Sequence, residues 1–401
     1  MSFQTLDGLD CKDKVVLLRV DLNVPAKDGA VTDTTRIDRL KETVTYLHQK
    51  GAKTAILSHF GRPKGEKKEE FSLSFLPAVL EKQWGLPVAF ADDCVGDAAK
   101  SAVEKLNSGD LLLLENVRFH KGEEANDPSF AQELAKLGDI YINDAFSASH
   151  RAHASTEGLA RLKPSYAGLL MQAELTALEN ALTTPKRPVI AFVGGAKIST
   201  KLSVLHNMTE KVDYLFLGGG MANTFLYAKG VDVGKSLCET DMAEEVKSIM
   251  EKAESNDCRI ILPTDVITVK TLEENADYET VDVSDIAADT MVVDNGPETV
   301  KSLQAVIDEC QTVLWNGPLG VFEIKPFDKA TNDVARYVAE KSAEGKVVSV
   351  AGGGDTVAAL ENAGASKGFS YISTAGGAFL EWLEGKELPG VAVLYEGQAA
   401  A

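Results

Sequence analysis

Short apolar runs of strand type alternate with helical stretches along almost the whole of this 401-residue chain. The runs are nearly continuously apolar, which is typical of parallel strands buried on both faces of a sheet. Parallel strands need crossover connections, so the alternation predicts βαβ units. The predicted strands span residues 15–22, 54–60, 111–116, 140–146, 189–193, 214–217, 260–262, 312–315, 347–351 and 371–374.

The alternation is interrupted once, between residues 171 and 188. Apolar residues recur there at helical spacing from Met171 to Leu182, and the pattern stops at Pro185 and Pro188. Because open sheets of much more than ~10 strands are uncommon, two α/β domains with doubly wound parallel sheets (Rossmann-like), joined by a helix and hinge, are favoured over one large sheet with a long crossover. The predicted N-terminal domain spans residues 1–170, the interdomain helix 171–184 and the C-terminal domain 185–388.

Composition and charge exclude several classes of partner. The chain is 44% hydrophobic and 25% charged, as in soluble globular proteins, and it has no apolar run long enough to span a membrane. Its net charge of -19 disfavours nucleic acid and anionic membranes. Five scattered cysteines without a CxxC pair favour a reducing compartment and argue against a disulfide scaffold or a zinc site. We therefore expect a cytoplasmic protein.

The predicted strand ends of the first half carry charged and polar side chains. Four of the ten arginines lie at or near them, namely Arg36, Arg62, Arg118 and Arg151. A surface salt bridge explains any one of these, but ligands of open parallel sheets bind at the carboxyl ends of the strands. Arginine also presents a fork of donors that matches phosphate and carboxylate. Together the four predict an anion pocket.

The strand ends of the second half carry glycine instead. Glycine lets backbone N–H groups approach a ligand, and a helix N-terminus adds free donors and a partial positive charge. Repetition at five strand ends predicts a nucleotide. Asp355, which follows three glycines, is either a magnesium ligand or the N-cap of the next helix. The glycines in question are Gly194 and Gly195, Gly218 to Gly220, Gly317, Gly352 to Gly354, and Gly376 and Gly377.

Other sequence signatures argue against competing chemistries. No G-x-G-x-x-G occurs, which disfavours a nicotinamide-dependent oxidoreductase. The segment 230–236 is similar to a P-loop but is one residue short and follows a helical stretch, so it predicts a plain loop. Zinc spacing and Ser-His-Asp or Cys-His constellations are not evident.

Eight motifs occur in order along the chain, namely RVDLNVP, SHFGRP, ENVRFH, NDAFSASHRAH, FVGGAKIST, LGGGMANTF, WNGPLGVFE and AGGGDTVA. In these motifs and their order the chain resembles the phosphoglycerate kinase family over essentially its whole length. The resemblance implies two doubly wound domains, a final segment (389–401) that folds back onto the first, and a mostly monomeric state. It implies reversible transfer of a phosphoryl group from ATP to 3-phosphoglycerate, giving ADP and 1,3-bisphosphoglycerate, with Mg²⁺, in line and after hinge closure.

The same resemblance implies a residue set for each ligand. The phosphoglycerate pocket would use Asp21, Asn23, Arg36, His59, Arg62, Arg118 and Arg151. The nucleotide site would use Gly195, Ala196, Lys201, Gly219, Asn316, Glu323, Gly353, Gly354, Asp355 and Thr356. Asp355 would bind the metal, and the catalytic groups would be Arg36, Lys197, Gly354 and Gly377.

Two positions depart from the family's pattern. Ala375 stands where the family has a glycine in its STGGGA segment, and we expect the following helix still to begin there. Val292 stands where some members carry glycine, on the adenine side of the implied site. Besides the oxidoreductase, a non-catalytic binding protein that has kept the fold is the remaining alternative.

Overall fold

The computed structural model describes residues 3–27 and 29–396, which form two compact units. Unit 1 contains the described residues up to Leu175 together with those from Glu387 onward, and unit 2 is Thr176–Lys386. These divisions lie a few residues from the sequence-based boundaries at 170 and 388. Residues 397–401 of the segment expected to fold back lie outside the described residues.

Unit 1 is built on a six-stranded sheet with the order β5-β6-β4-β1-β7-β8, in which every paired strand is parallel. A short antiparallel hairpin, β2-β3, follows the first strand. The strands are β1 (Val15–Arg19), β2 (Ala26–Lys27), β3 (Ala30–Val31), β4 (Lys53–Leu57), β5 (Val88–Ala91), β6 (Leu111–Leu114), β7 (Ile140–Asn143) and β8 (Ser165–Ala167). The helices are α1 (Thr35–Arg39), α2 (Lys41–Gln49), α3 (Pro77–Trp84), α4 (Gly96–Glu104), α5 (Lys121–Glu124), α6 (Pro128–Ala135) and α7 (Leu169–Leu178), the last crossing into unit 2.

Unit 2 contains a second six-stranded parallel sheet, with the order β11-β10-β9-β15-β16-β17. Three further strands form an antiparallel sheet, β13-β12-β14. The strands are β9 (Val189–Gly194), β10 (Tyr214–Gly218), β11 (Arg259–Ile261), β12 (Asp265–Val269), β13 (Tyr278–Asp282), β14 (Met291–Asn295), β15 (Thr312–Asn316), β16 (Val348–Gly352) and β17 (Tyr371–Ser373). The helices are α8 (Leu202–Lys211), α9 (Gly220–Ala228), α10 (Ala243–Ser255), α11 (Pro297–Glu309), α12 (Lys329–Ala343), α13 (Gly354–Asn362) and α14 (Gly376–Leu383).

The last described helix, α15 (Pro389–Glu396), belongs to unit 1. Asn143, at the end of β7, donates a side-chain hydrogen bond to the Gly390 carbonyl at 3.0 Å. The Gly390 N–H in turn donates to the Ser149 carbonyl at 3.0 Å. Two distant segments of the chain therefore complete one unit.

Strand order places a crevice in each unit. Among the six parallel strands of unit 2, the chain order runs 3-2-1-4-5-6 and reverses direction between β9 and β15. In unit 1 the reversal lies between β1 and β7. Ligands of doubly wound sheets bind outside the carboxyl ends of the strands at such a switch point. The predicted fold class is confirmed, and the alternative of one large sheet is wrong.

Burial explains which strands the sequence predicted. The central strands are apolar and almost wholly buried, as in Leu111–Leu114, where all four residues are buried, and each of the ten predicted strands overlaps an observed one. The sequence missed the β2-β3 hairpin, β5, β8 and the antiparallel sheet of unit 2. The hairpin, β5 and β8 are short, and Tyr278–Asp282 is exposed at nearly every position. Every described helix is too short or too polar to span a bilayer.

Candidate active site

A cavity of about 450 Å³ lies at the carboxyl ends of the unit 2 strands, beside the switch point between β9 and β15. Its walls combine glycine backbone with few charged side chains. Of the predicted nucleotide residues and catalytic groups, those that line it are Gly195, Ala196, Lys197, Lys201, Gly219, Glu323 and Asp355.

Glycine at the switch point is required by close packing of backbone against backbone. A Cβ added to Gly194 would lie 1.8 Å from the Pro318 carbonyl oxygen. Gly317 has φ +103°, and a Cβ there would lie 2.1 Å from the Gly194 carbonyl oxygen. A larger residue at either position would push the two strand ends apart and distort the cavity.

The glycines at the starts of α13 and α14 face open space instead. A Cβ added to Gly354 would meet no atom within 4 Å, and one added to Gly376 would meet only the Gly354 nitrogen at 4.0 Å. The two helix starts thus lie close together, with no described side chain covering them on that side. The first-turn N–H groups of both helices are available to an anion there. Gly377, the next residue of α14, is exposed.

Asp355 lies in the first turn of α13 rather than at its cap. The N-cap is Gly353, with φ +103° and no side-chain capping bond. The N-cap interpretation of Asp355 is therefore wrong. Its carboxylate is exposed and has no hydrogen-bond partner among the described residues, so it is available to a cation.

Lys201 places a partly buried cation at the cavity wall. Its Nζ donates to the Gly194 carbonyl at 2.7 Å and to Asn316 Oδ1 at 2.6 Å. Burial lowers the pKa of this amine to about 8, although the charge of Asp355 opposes the shift. Lys197, on the same wall, is exposed.

Three of the predicted nucleotide residues stabilise the loops that follow β15 and β16 rather than line the cavity. Asn316 is buried, and its Nδ2 donates to the Gly352 carbonyl at 2.8 Å. Thr356 is also buried, and its Oγ1 accepts from the Gly317 N–H at 2.7 Å. Gly353 supplies the N-cap described above. Direct contact of these residues with a nucleotide stays a prediction.

The two departures from the family's pattern are accommodated. Ala375 has an ordinary φ of -96°, and α14 begins directly after it at Gly376. Val292 lines the cavity, and its N–H donates to Ser236 Oγ at 2.8 Å.

In unit 1, Asp21 and Arg36 form an ion pair at the switch point. The Arg36 guanidinium donates to Asp21 Oδ2 and to the Asn23 carbonyl, at 2.8 and 2.9 Å. Ser147, from the segment after β7, also donates to Asp21 Oδ2. Burial would raise the pKa of the Asp21 carboxyl, but the charge of Arg36 and the hydrogen bonds from Ser147 and the Asn23 N–H lower it on balance. Asn23 Oδ1 accepts from the Gly61 N–H at 2.9 Å, which joins the turns after β1 and β4.

Arg19 is a functional candidate that the sequence analysis did not single out. It is wholly buried at the end of β1 and donates to Ser155 Oγ at 2.8 Å. It also lies 3.1 Å from His59 Nδ1. Because a guanidinium can only donate, Nδ1 must accept, which leaves the His59 proton on Nε2. Burial and then the charge of Arg19 hold the pKa of His59 well below its usual range.

Two of the remaining arginines, Arg118 and Arg151, act electrostatically on one buried histidine, His153. Arg118 is partly buried and donates to the Gly61 carbonyl at 2.9 Å, while Arg62 and Arg151 are exposed. Burial and then the charges of Arg118, Arg19 and Arg151 lower the pKa of His153 to about 4. Positive charge is thus concentrated at this strand edge of an acidic chain. Arg19 and His153 are widely separated in sequence and lie at buried positions. Only the fold reveals that both belong to this positively charged edge of the sheet.

A family model described as phosphoglycerate kinase matches residues 6–386 of the chain. The chain belongs to the phosphoglycerate kinase family. It is 59% identical to the phosphoglycerate kinase of Rhizobium leguminosarum bv. trifolii over 394 residues, which cover 98% of each chain. It is also 59% identical to that of Rhodospirillum centenum, covering 98% of this chain and all of the relative.

Solved structures of the family have the same fold. The phosphoglycerate kinase of Coxiella burnetii superposes with a TM-score of 0.92 at 40% identity, over 98% of this chain and 99% of that one. That of Pyrococcus horikoshii gives 0.81 at 30% identity, over 99% and 100%. Phosphoglycerate kinases are phosphotransferases whose general role is in glycolysis, and they use ATP and ADP. The prediction of family and enzyme class is confirmed, and the oxidoreductase alternative is wrong.

Proposed function

We propose that unit 2 binds ATP or ADP in its glycine-lined cavity and that the arginine-rich switch point of unit 1 binds 3-phosphoglycerate. The enzyme then transfers the terminal phosphoryl group of ATP to the substrate carboxylate, in a reversible reaction. The observation that carries this proposal is the pair of uncovered helix starts at Gly354 and Gly376, with Asp355 of α13 lining the same cavity as Lys201. That arrangement suits the oxygens of a polyphosphate.

The reaction needs no nucleophile from the protein, because the acceptor is already an anion. Catalysis consists of alignment and of neutralising charge on the transferring group. We assign Arg36 and Lys197 to the equatorial oxygens, and the N–H groups near Gly354 and Gly377 support them. Lys201 holds the terminal phosphate before transfer. The hinge closure inferred from the family resemblance stays a prediction.

Asp355 fits the requirements of a magnesium site. Mg²⁺ is bound in nucleotide enzymes through one or two carboxylates together with phosphate oxygens and waters. Asp355 offers an exposed carboxylate at the cavity wall, next to the helix start where the phosphates are placed. A magnesium ion there would screen the charge of the nucleotide, while the protein groups orient it.

Arg36→Ala tests the proposed kinase activity and the assignment of Arg36 to the transferring phosphoryl group. In an assay that couples ATP formation to a chromogenic reaction, we expect turnover to fall by about 100-fold or more, as for loss of a donor to developing charge. Nucleotide affinity, measured by calorimetry, should change little. The matched control is Arg39→Ala, on the same helix, whose guanidinium lies 3.9 Å from Glu174.

Two outcomes would contradict this assignment. Wild-type enzyme that forms no ATP from 1,3-bisphosphoglycerate and ADP would support the non-catalytic alternative. An Arg36→Ala enzyme with unchanged turnover and only a higher KM for phosphoglycerate would remove the transition-state role.

Asp355→Ala tests the metal assignment. The variant should bind MgADP at least about tenfold more weakly, a loss of roughly 1.4 kcal/mol, because a direct ligand is removed. Its affinity for metal-free ADP should be unchanged or higher. Glu361→Ala, an exposed acid on the same helix, controls for the change in net charge. Equal weakening of both nucleotide forms would show that Asp355 does not bind the metal.

The remaining expectations concern the cellular setting. The described cysteines are free thiols, which suits a reducing cytoplasm. We also propose a monomer that acts on small molecules rather than on nucleic acid or membranes, as its net charge of -19 favours.

A further inference from the structure

Asp93, Cys94 and His120 form a cluster in unit 1 that has no role in the reaction proposed above. One atom from each side chain can serve as a metal ligand, and these three atoms lie within 4.8 Å of one another. Asp93 and Cys94 lie in the turn between β5 and α4, and His120 directly precedes α5. No zinc spacing is visible in the sequence because the ligands come from two loops that only the sheet brings together.

The imidazole ring of His120 is already fixed beside Asp93. His120 Nε2 lies 2.8 Å from Asp93 Oδ1, and the imidazole stacks on Phe130 with ring centroids 4.9 Å apart. Asp93 Oδ1 also accepts from the Cys94 N–H at 2.7 Å. The loops are therefore fixed to each other before any ion binds, which lowers the ordering cost of a site.

The cluster has an open side and a closed side. The side chains of His120 and Asp93 are 31% and 42% exposed, so an ion can enter from solvent. Cys94 is wholly buried and closes the inner side. Its thiol has no hydrogen-bond partner among the described residues.

The electrostatic surroundings favour a cation. The carboxyl groups of Asp93, Glu123 and Glu115 interact electrostatically with the buried Cys94 side chain. A divalent ion would bring positive charge to this acidic position. Binding would release one proton from Cys94 Sγ to solvent, and the His120 imidazole would bind through Nε2 as the neutral tautomer with its proton on Nδ1.

We infer that Asp93, Cys94 and His120 bind one divalent zinc-type cation, with water in the fourth position. Thiolate, imidazole and carboxylate are ligands that zinc prefers, at bond lengths of about 2.0–2.3 Å. The ion would cross-link the turn before α4 to the turn before α5. This inference is independent of the reaction, because none of the three residues belongs to either proposed substrate site.

Cobalt is the probe that reports the sulfur ligand directly. Full-length protein, reduced and stripped with EDTA, would be titrated with Co²⁺, and zinc affinity measured by competition with a chromophoric chelator. We expect one equivalent of Co²⁺ to give tetrahedral visible bands and a thiolate charge-transfer band in the near ultraviolet. Cys94→Ser should abolish the charge-transfer band. His120→Gln should weaken zinc binding at least about tenfold, the loss that even outer-shell partners cause.

The chain offers a matched control for the histidine. His206 Nε2 lies 2.8 Å from Glu245 Oε1, with side chains 30% and 41% exposed. This pair resembles His120 and Asp93 in distance and exposure, but it is not joined by a third ligand group within the part of the chain that the structure describes. His206→Gln should therefore leave cobalt and zinc binding unchanged. Because His120 is at the surface, its variant decides the matter even if Cys94→Ser fails to fold.

Three results would overturn the inference. The first is wild-type protein without a charge-transfer band. The second is a band that survives Cys94→Ser, which would assign the sulfur to another cysteine. The third is zinc affinity that is equal in His120→Gln and wild-type protein.

Discussion

Lys201 shows how a single side chain couples burial to ligand binding. Its amine is held against a backbone and a side-chain oxygen at the cavity wall, and burial lowers its pKa to about 8. The free enzyme therefore loses this charge just above neutral pH. Polyphosphate binding favours the protonated form, so it should take up a proton in that range.

The pH dependence of nucleotide affinity tests this property. We expect the affinity for MgADP to fall by roughly tenfold between pH 7 and pH 9, since one pKa unit corresponds to 1.36 kcal/mol between protonation states. Lys201→Arg keeps its charge throughout, so its affinity should be nearly constant over the same range. Calorimetry in buffers of different ionisation enthalpy would measure affinity and proton uptake together. Parallel pH profiles for the two proteins would assign the titration to another group.

Site residues were predictable where the sequence shows both a suitable side chain and its place near the end of a strand. Asp21 stands at the end of an apolar strand and Arg36 on the helix that follows the β2-β3 hairpin, and the structure pairs them at 2.8 Å. Arg19 ends the same strand, but its burial and its contact with His59 depend on how β1 and β4 align. A charged residue at a strand end gives no sign of whether it faces solvent or the interior.

At the scale of elements, one carboxyl joins a strand to a helix. Asp294 on β14 is buried, and its Oδ2 accepts from the Ala330 N–H in the first turn of α12 at 2.9 Å. Its other oxygen, Oδ1, has no hydrogen-bond partner among the described residues. Burial raises the pKa of this carboxyl to about 8, so the acid is protonated at neutral pH.

This carboxyl should make stability fall as pH rises. The unfolded chain releases the Asp294 proton near pH 3.9, whereas the folded chain keeps it until about pH 8. Between these values the folded state binds more protons, so the free energy of unfolding decreases by on the order of 1 kcal/mol per pH unit. Above pH 8 the loss is complete.

Asp294→Asn should remove this contribution, because the amide cannot ionise and its oxygen can still accept from Ala330. Urea unfolding from pH 5 to pH 8 would compare the two proteins, with the exposed Asp241→Asn as the control for net charge. We expect Asp294→Asn to gain stability relative to wild type as pH rises. A constant difference across that range would mean that the Asp294 carboxyl is ionised in the folded protein.

Element prediction succeeded where burial is uniform and failed where it is not. The central strands are continuous apolar runs, and glycine or charge marks their ends. β5 has exposed or half-buried positions between its buried ends over only four residues, and β8 has only three residues. Such short edge strands are stabilised by their neighbours in the sheet rather than by their own composition. Pairing with neighbouring strands in the folded sheet therefore determines whether β5 and β8 form.

At the scale of the whole molecule, two six-stranded parallel sheets with different strand orders carry different surface chemistry at their switch points. Unit 1 presents arginine and histidine at its switch point, and unit 2 presents glycine backbone and helix starts. The net charge of -19 predicted neither of these surfaces, because a sum over the whole chain does not show where the basic side chains lie. The sequence suggested both halves of the site through composition at strand ends. It could not reveal Arg19, His153 or the metal cluster, which depend on long-range pairing.

The position of α15 in unit 1 has a consequence for synthesis on the ribosome. Unit 1 contains the beginning of the chain and its last described helix, with Thr176–Lys386 between them. At typical elongation rates of about 5–20 residues per second, roughly 10–40 s separate the emergence of these two parts. During that interval Asn143 has no Gly390 to bind. The unit made first is thus the last to be finished, and the newborn chain must pass through a stage in which its N-terminal sheet is exposed where the final helix will dock.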